Sequence, residues 1–148
     1  KKINQQLGCQ LHVCVDGLKS QYLSLFDSIH TYNILSNPIQ NKVTTKKETL
    51  TTVRNIYQYW KYQCRRVQKP FIMTVMPGYN DMSVRTPGDK LQYQTLYEDL
   101  WRLSLSFQPD IILITSWNEW HENTQIEPSL QRQDYLLRIT KEMNDKLE

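Results

Sequence analysis

Four short segments of this chain have the composition of buried β-strands, at residues 11–15, 28–34, 71–76 and 110–116. The last two read FIMTVM and DIILITS and are nearly continuous runs of β-branched and aliphatic residues. Strands of a parallel sheet that is covered on both faces have this composition, whereas antiparallel strands with one wet face alternate apolar and polar residues. The segments therefore predict a parallel sheet with both faces buried.

The segments between and after these strands have the apolar spacing of amphipathic helices. In residues 46–66, 96–107 and 131–147, apolar side chains recur every three or four positions. Pro70 and Pro109 stand directly before the last two strands, where proline ends the preceding helix. Strands that alternate with helices in this order form right-handed βαβ units, so the sequence predicts an α/β fold with parallel strands.

The number of strands indicates how much of a larger architecture the chain contains. A complete (β/α)8 barrel of the TIM type has eight strands and takes about 250 residues. Four strands in 148 residues therefore predict the C-terminal portion of such a barrel, with residues 1–148 as a partial domain. The chain starts without Met and ends in a helix with a polar tail, as expected for a C-terminal fragment. Alone, such a half exposes unpaired strand edges, so we expect it to be poorly soluble or inactive.

Composition and charge exclude several classes of protein. The formal net charge is +3, too small and too scattered to indicate binding to nucleic acid. No apolar run approaches the ~18–20 residues of a membrane-spanning helix. Cys9, Cys14 and Cys64 lack the spacing of metal ligands, and their odd number leaves at least one free thiol. Neither a metal site nor a disulfide framework is predicted.

Residues capable of chemistry follow the third and fourth predicted strands, at the carboxyl ends where parallel α/β folds place their working groups. The third strand is followed by Pro77, Gly78, Tyr79, Asn80 and Asp81, and then by Arg85. The fourth is followed by three carboxylates, one histidine and two tryptophans: Trp117, Glu119, Trp120, His121, Glu122 and Glu127. We expect the active site of the molecule at this edge of the sheet.

Two carboxylates flanked by aromatic rings are the groups that glycoside hydrolysis requires. One carboxylic acid donates a proton to the leaving oxygen while a second stays charged, and aromatic rings offer surfaces for sugars. Glu119 and Glu122 have the i, i+3 spacing that lets two side chains converge on one side of a tight turn. Trp117 and Trp120 would provide surroundings of low dielectric constant. The alternative is that both glutamates lie in the first turn of a helix, whose dipole favours negative charge.

Three segments carry a family resemblance. Residues 114–128, ITSWNEWHENTQIEP, resemble the I-T-S-[FW]-N-E-W-H-E-G-T-Q-I-E signature of glycoside hydrolase family 99, the endo-α-1,2-mannosidase and endo-mannanase family. Residues 77–85 resemble its P-G-Y-x-D-x-x-x-R segment, and residues 26–32 its F-D-G-I-x-T-Y strand. Asn123 and Ser28 depart from the family glycines. Because Asn tolerates positive φ, we expect the turn at Asn123 to be kept.

The resemblance implies a (β/α)8 barrel that cleaves internal α-mannosidic linkages with retention. It implies that Glu119 acts as a base on the 2-hydroxyl of the substrate, and that Glu122 is the general acid and then the general base. The intermediate would be a 1,2-anhydro sugar, since the 2-hydroxyl and the leaving oxygen of α-mannose are both axial and anti. No metal or organic cofactor is implied. The expected partner is an oligosaccharide or polysaccharide, with no nucleic acid and no protein partner. The implied location is the Golgi in a eukaryote, or outside the cytoplasm in a bacterium.

Eight further residues are candidates for contact with the sugar: Tyr32, Tyr79, Arg85, Trp117, Asn118, Trp120, His121 and Glu127. Some have structural alternatives, because Tyr32 lies on a strand with one core face, Arg85 can pair with Asp81, and Glu127 can support its loop. Two other functions stay open: a related barrel domain associated with polysaccharide-synthesis glycosyltransferases, and a non-catalytic carbohydrate-binding domain. His121 and residues 124–127 favour the hydrolase over the first of these.

Overall fold

The computed structural model describes residue 6 and residues 8–147 of the chain. Its strands are β1 (Cys14–Asp16), β2 (Ser28–His30), β3 (Ile72–Val75), β4 (Tyr79–Asn80), β5 (Lys90–Leu91) and β6 (Ile111–Ile114). Its helices are α1 (Tyr22–Leu25), α2 (Ser36–Gln40), α3 (Lys46–Arg66), α4 (Leu96–Phe107) and α5 (Tyr135–Asn144), with a 3₁₀ turn at Trp120–Glu122. Among the described residues, no helix combines the length and the apolar composition needed to cross a membrane.

Four of the strands run parallel, in the order β1, β2, β3, β6. β1 pairs with β2, and β3 pairs with β6. An isolated parallel bridge between Ile29 and Phe71 joins the two pairs. Helix α3 lies between β2 and β3 in the chain, and helix α4 lies between β3 and β6, as the connections of βαβ units do. The prediction of an α/β fold with parallel strands is therefore confirmed.

Helix α3 has the bounds that the apolar spacing predicts, and its start has a local cause. Thr45 precedes the helix with extended backbone, and its Oγ1 accepts a hydrogen bond from the Glu48 backbone N–H at 3.2 Å. The same hydroxyl donates to the Glu48 carboxylate at 2.8 Å. This arrangement satisfies free donors of the first turn, so the TKKE sequence fixes where the helix begins. Helix α4 also has the predicted bounds, whereas α5 is shorter than 131–147 at both ends.

The predicted strand at residues 28–34 ends early, at His30. Its backbone leaves the sheet because side chains take over the hydrogen bonds that a neighbouring strand would make. The Thr74 hydroxyl donates to the Thr31 carbonyl at 2.5 Å, and the Asn33 side chain accepts from the Leu35 N–H at 2.9 Å. Residues 31–34 therefore form a loop at the carboxyl end of β2.

Burial differs between the inner and outer strands of the sheet. Every residue of β3 is buried, as its continuous apolar sequence predicts. In β6 the prediction of two covered faces is wrong, because Ile111 is 41% exposed and the other three residues are only half-buried. In the described part of the chain, β6 has a neighbouring strand on one side only. β1, at the opposite edge, likewise leaves Cys14 and Asp16 exposed.

Tyr57 of α3 places its hydroxyl against the backbone of the central strand β3. The hydroxyl donates to the Thr74 carbonyl at 3.1 Å and accepts from the Thr74 N–H at 2.8 Å. Tyr57 is fully buried, and this burial raises the pKa of its phenol well above the ordinary value. The side chain thus replaces a strand partner at the point where β2 has already ended.

Replacing Tyr57 with Phe is expected to lower the free energy of unfolding by about 1–3 kcal/mol. The ring still fills its place, but the N–H and carbonyl of Thr74 lose their partner in a buried position. Urea denaturation of the full-length protein measures the change. Tyr59→Phe is the matched control, because Tyr59 lies on the same helix and is exposed. Equal losses for the two variants would contradict the prediction.

Candidate active site

Two chain segments meet at the carboxyl edge of the sheet, one after β3 and one after β6. The strands end together, since Val75 is paired with Ile114 and the Thr115 N–H donates to the Val75 carbonyl at 3.0 Å. The first segment continues into the hairpin of β4 and β5, which pair antiparallel. The second continues into the 3₁₀ turn Trp120–Glu122. The site is built where the hairpin faces this turn.

Glu122 is the residue through which the two segments contact each other. Its Oε1 lies 3.2 Å from Arg85 Nη2 and 3.5 Å from the Tyr79 hydroxyl. Its Oε2 is buried and has no hydrogen-bond partner among the described residues. One oxygen of the carboxyl group is therefore held by the hairpin, and the other is left unpaired.

Tyr79 occupies the base of this contact and is only 5% exposed. Its hydroxyl donates to Asp81 Oδ2 at 2.9 Å and accepts from Arg85 Nη1 at 2.6 Å. Burial, the hydrogen bond to Asp81 and the charge of Glu122 raise the pKa of the Tyr79 phenol well above its ordinary value. The phenol thus stays protonated and acts as a hydrogen-bond donor beside the two carboxylates.

Asp81 is only 2% exposed and contacts both Tyr79 and Arg85. Burial alone would raise the pKa of Asp81. The hydrogen bonds from the Asp89 N–H and the Tyr79 hydroxyl, together with the charge of Arg85, outweigh this effect, so the pKa of Asp81 is lowered. The Asp89 N–H lies 2.6 Å from Oδ1, and Arg85 Nη1 lies 2.8 Å from Oδ2. Arg85 therefore pairs with Asp81, as one alternative predicted, and extends at the same time to Glu122.

Glu119 is held by the turn that follows β6, and it does not depend on the hairpin. Its backbone N–H donates to Ser116 Oγ at 2.9 Å, and this oxygen lies 2.9 Å from the Thr124 hydroxyl. The Thr124 N–H in turn donates to the Glu119 carbonyl at 3.3 Å. Asn123 closes the turn with φ of 57°, which confirms that Asn keeps the left-handed conformation where the family has Gly.

Tyr32 lies at the same edge, in the loop after β2. Its N–H donates to Asp16 Oδ1 at 2.7 Å, and its carbonyl accepts from the Thr115 hydroxyl at 2.8 Å. Burial is the largest cause that raises the pKa of the Tyr32 phenol, and the negative charges of Glu122 and, less strongly, Glu119 raise it further. The ring is thus within electrostatic range of both glutamates. It is not a core residue of the strand, because β2 ends before it.

The two tryptophans of the turn are exposed, Trp117 by 53% and Trp120 by 45%. The Trp120 indole N–H donates to Glu127 Oε2 at 2.7 Å, so Glu127 supports the loop and orients this ring. Asn118 and His121 are exposed on the same turn, and the structure does not draw either of them into the Glu122 cluster. Two large aromatic rings thus remain open to solvent on the same turn as the half-buried Glu119 and Glu122.

Three residues that support the site are not among the sequence candidates for sugar contact: Asp81, Ser116 and Thr124. Each lies inside a segment that carries the family resemblance, and this position is the signal that could have identified them. Asp81 orders Tyr79 and Arg85, while the two hydroxyls shape the turn that presents Glu119. None of the three needs to touch a ligand to do this.

Comparison with protein-family models matches residues 14–143 to Glycosyl hydrolase family 99. Among curated proteins, a glycoprotein endo-alpha-1,2-mannosidase-like protein of Mus musculus is 31% identical over 115 residues, which are 73% of this chain and 25% of that protein. The glycoprotein endo-alpha-1,2-mannosidase of Rattus norvegicus is 33% identical over 115 residues, with the same coverage of 73% and 25%. The chain thus spans about a quarter of the length of these relatives.

Solved structures agree on the fold. The GH99 endo-alpha-mannosidase from Bacteroides thetaiotaomicron in complex with BIS-TRIS-Propane matches 93% of this chain and 47% of its own, with a TM-score of 0.72 and 23% identity. A second structure of the enzyme from this organism gives a TM-score of 0.69 over 93% of this chain and 44% of its own. With a family match that extends from β1 to α5, this chain belongs to glycosyl hydrolase family 99.

Proposed function

We propose that this chain is part of a retaining, endo-acting glycoside hydrolase that cleaves internal α-mannosidic linkages of glycans. The observation that carries the proposal is the state of Glu122, with Oε1 held by Arg85 and Oε2 buried and unpaired, on a turn that also carries exposed tryptophans. A general acid needs one fixed carboxyl group with an oxygen free to exchange a proton with the substrate. The names of the curated relatives support an α-1,2-linked mannoside as the substrate.

We further propose that residues 1–148 are the C-terminal half of a (β/α)8 catalytic domain. Four parallel strands are half of such a barrel, and the two outer strands are the ones with exposed residues. Further strands beside β1 and β6 would cover the exposed Cys14 and Ile111. The structural match to somewhat less than half of a family enzyme supports the same arrangement.

The proposed chemistry divides the two glutamates by role. Glu122 protonates the leaving oxygen and then removes a proton from the incoming water, acting first as general acid and then as general base. Glu119 removes the proton of the substrate's 2-hydroxyl, whose oxygen attacks the anomeric carbon from the side opposite the leaving group. The intermediate is a 1,2-anhydro sugar. As water attacks its anomeric carbon, Glu119 returns the proton to O2, and the product keeps the configuration of the substrate. This route uses no metal and no organic cofactor.

The remaining side chains bind and orient in this proposal. Arg85 and Tyr79 position Glu122, since both contact its Oε1. Trp117, Trp120 and Tyr32 offer exposed rings to the apolar faces of sugars. Asn118 and His121 are exposed on the same turn and are available for sugar hydroxyls, while Glu127 steers the Trp120 ring.

The test is to give the full-length protein oligosaccharides with internal α-1,2- and α-1,3-mannosidic linkages and to follow the products by NMR. We expect cleavage of the α-1,2 linkage, with the α-anomer as the first product. A β-anomer formed first would contradict retention. Binding of the oligosaccharide without cleavage would identify a non-catalytic carbohydrate-binding domain instead.

A further inference from the structure

A cavity of about 680 Å³ lies apart from the glutamates, between the hairpin and helix α5. Its volume is in the usual range of sites for small molecules, about 300–1,000 Å³. Pro77, Lys90, the first residues of α4 and residues 131–139 bound it, whereas Glu119, Glu122 and Arg85 do not line it. Pro77 stands two residues before Tyr79, so the cavity adjoins the segment that holds the site without being part of it.

The lining of this cavity combines aromatic rings with side-chain amides: Tyr93, Tyr97, Tyr135, Gln92, Gln94 and Gln131. Two of the rings are fixed through their hydroxyls, since Tyr97 is bonded to Thr140 at 2.8 Å and Tyr135 donates to Glu98. Rigid aromatic surfaces with a few polar groups between them suit a ligand that has apolar faces and hydroxyl edges. A sugar ring has this chemistry.

Two polar atoms at the cavity are buried and lack a partner among the described residues, Gln92 Nε2 and Arg132 Nη1. Both are hydrogen-bond donors, so an acceptor-rich group would satisfy both. Leaving such donors unpaired costs free energy, and each case in a folded protein needs an explanation. A ligand with oxygen acceptors would therefore satisfy the two unpaired donors of this cavity.

The charge around the cavity indicates which acceptors fit. Burial lowers the pKa of Arg132, and no carboxylate of the described residues forms an ion pair with it. Lys90 adds a second positive charge. The acid of the lining, Glu98, is already engaged by the Tyr135 hydroxyl and lies 3.9 Å from Arg102. A guanidinium without a counter-charge matches phosphate or carboxylate through two parallel hydrogen bonds.

We propose that this cavity binds a sugar that carries an anionic substituent, a phosphate or a carboxylate. Arg132 and Gln92 donate to the anion and its neighbouring oxygens, and the accessible rings of Tyr93 and Tyr135 pack against the sugar. The inference goes beyond the proposed hydrolysis, because it requires only binding and assigns no role to the glutamates. Glu122→Gln is accordingly expected to leave this binding unchanged, so the two proposals fail independently.

Isothermal titration calorimetry of the full-length protein at low salt tests the proposal, with mannose 6-phosphate, glucuronate, mannose and inorganic phosphate as probes. We expect mannose 6-phosphate or glucuronate to bind at least about tenfold more tightly than mannose and inorganic phosphate. Whichever anionic sugar binds identifies the substituent. Equal affinity for mannose would overturn the anionic requirement, equal affinity for inorganic phosphate would overturn the sugar, and no binding of either anionic sugar would overturn the site.

Variants locate the binding on the protein. Arg132→Gln is expected to weaken the anionic sugar at least about tenfold, and Arg138→Gln, an exposed position on α5, is the matched control. If Arg132→Gln does not fold, Lys90→Gln is expected to weaken binding about two- to fivefold, as for an exposed charge. Unchanged affinity in the folded variant, or an equal loss for Arg138→Gln, would place the binding elsewhere and overturn the proposal.

Discussion

Full-length protein that carries Glu122→Gln is expected to lose turnover of an α-1,2-mannoside by a factor of about 10²–10⁴. Gln keeps the size and shape of the side chain and its contacts with Arg85 and Tyr79, but it cannot donate the proton that the leaving oxygen needs. The oligosaccharide is expected to bind the variant still, because the aromatic rings of the site are unchanged. Initial rates and a binding titration on the same preparation separate the two effects.

Glu119→Gln is expected to give a comparable loss of turnover, since it removes the base proposed to act on the 2-hydroxyl. Glu142→Gln is the matched control, because this exposed glutamate of α5 forms an ion pair with Lys146, just beyond the end of the helix, and lies outside the site. If Glu122→Gln retains turnover within tenfold of the wild type, another residue is the acid and the role proposed for Glu122 is wrong.

Asp81→Asn is expected to lower turnover by about 10- to 100-fold, although Asp81 does not contact Glu122 directly. The substitution removes the charge that orders Arg85 and the acceptor of the Tyr79 hydroxyl, so the contacts with Glu122 Oε1 loosen. The free energy of unfolding should fall by about 1.5–3 kcal/mol at pH 7, the range for hydrogen bonds to a charged group. Kinetics and urea denaturation measure the two losses.

The effect of Asp81 on stability should also depend on pH. Its folded-state pKa is lowered, so the carboxylate stabilises the fold above its unfolded pKa of about 4. This contribution is lost as the pH falls through the folded-state pKa. The difference in stability between wild type and Asp81→Asn should therefore shrink below about pH 4. Asp89→Asn, an exposed position on the same loop, is the control, and a difference that grows at low pH would contradict the assignment.

Features with a local cause could be predicted from the sequence. The bounds of α3 follow from the capping pair of Thr45 and Glu48 and from apolar residues on one face. The left-handed turn at Asn123 follows from the tolerance of Asn for positive φ. The placement of the acidic turn at the carboxyl edge follows from the strand before it, because parallel strands end at a common edge.

Features that depend on residues distant in the chain could not be predicted from the sequence. The hairpin of β4 and β5 joins strands of two residues, too short for any periodic pattern, and its pairing spans the loop at residues 81–89. The contact between Tyr79 and Glu122 joins positions 43 residues apart, so no local signal announces it. Half a barrel is expected to have unpaired strand edges, but the exposure of Ile111 in particular could not be predicted, because an apolar strand has the same sequence whether or not a neighbour covers it.

Glu119 and Glu122 lie on the same turn but are held by different contacts. The backbone N–H of Glu119 is bound by the Ser116 hydroxyl of that turn, while the carboxylate of Glu122 is bound by Arg85 of the hairpin. Insertions or substitutions in the hairpin are therefore expected to change the proton donation proposed for Glu122 and to leave the role proposed for Glu119 undisturbed. Substitutions in the hairpin and substitutions in the turn would thus change the two proposed roles separately.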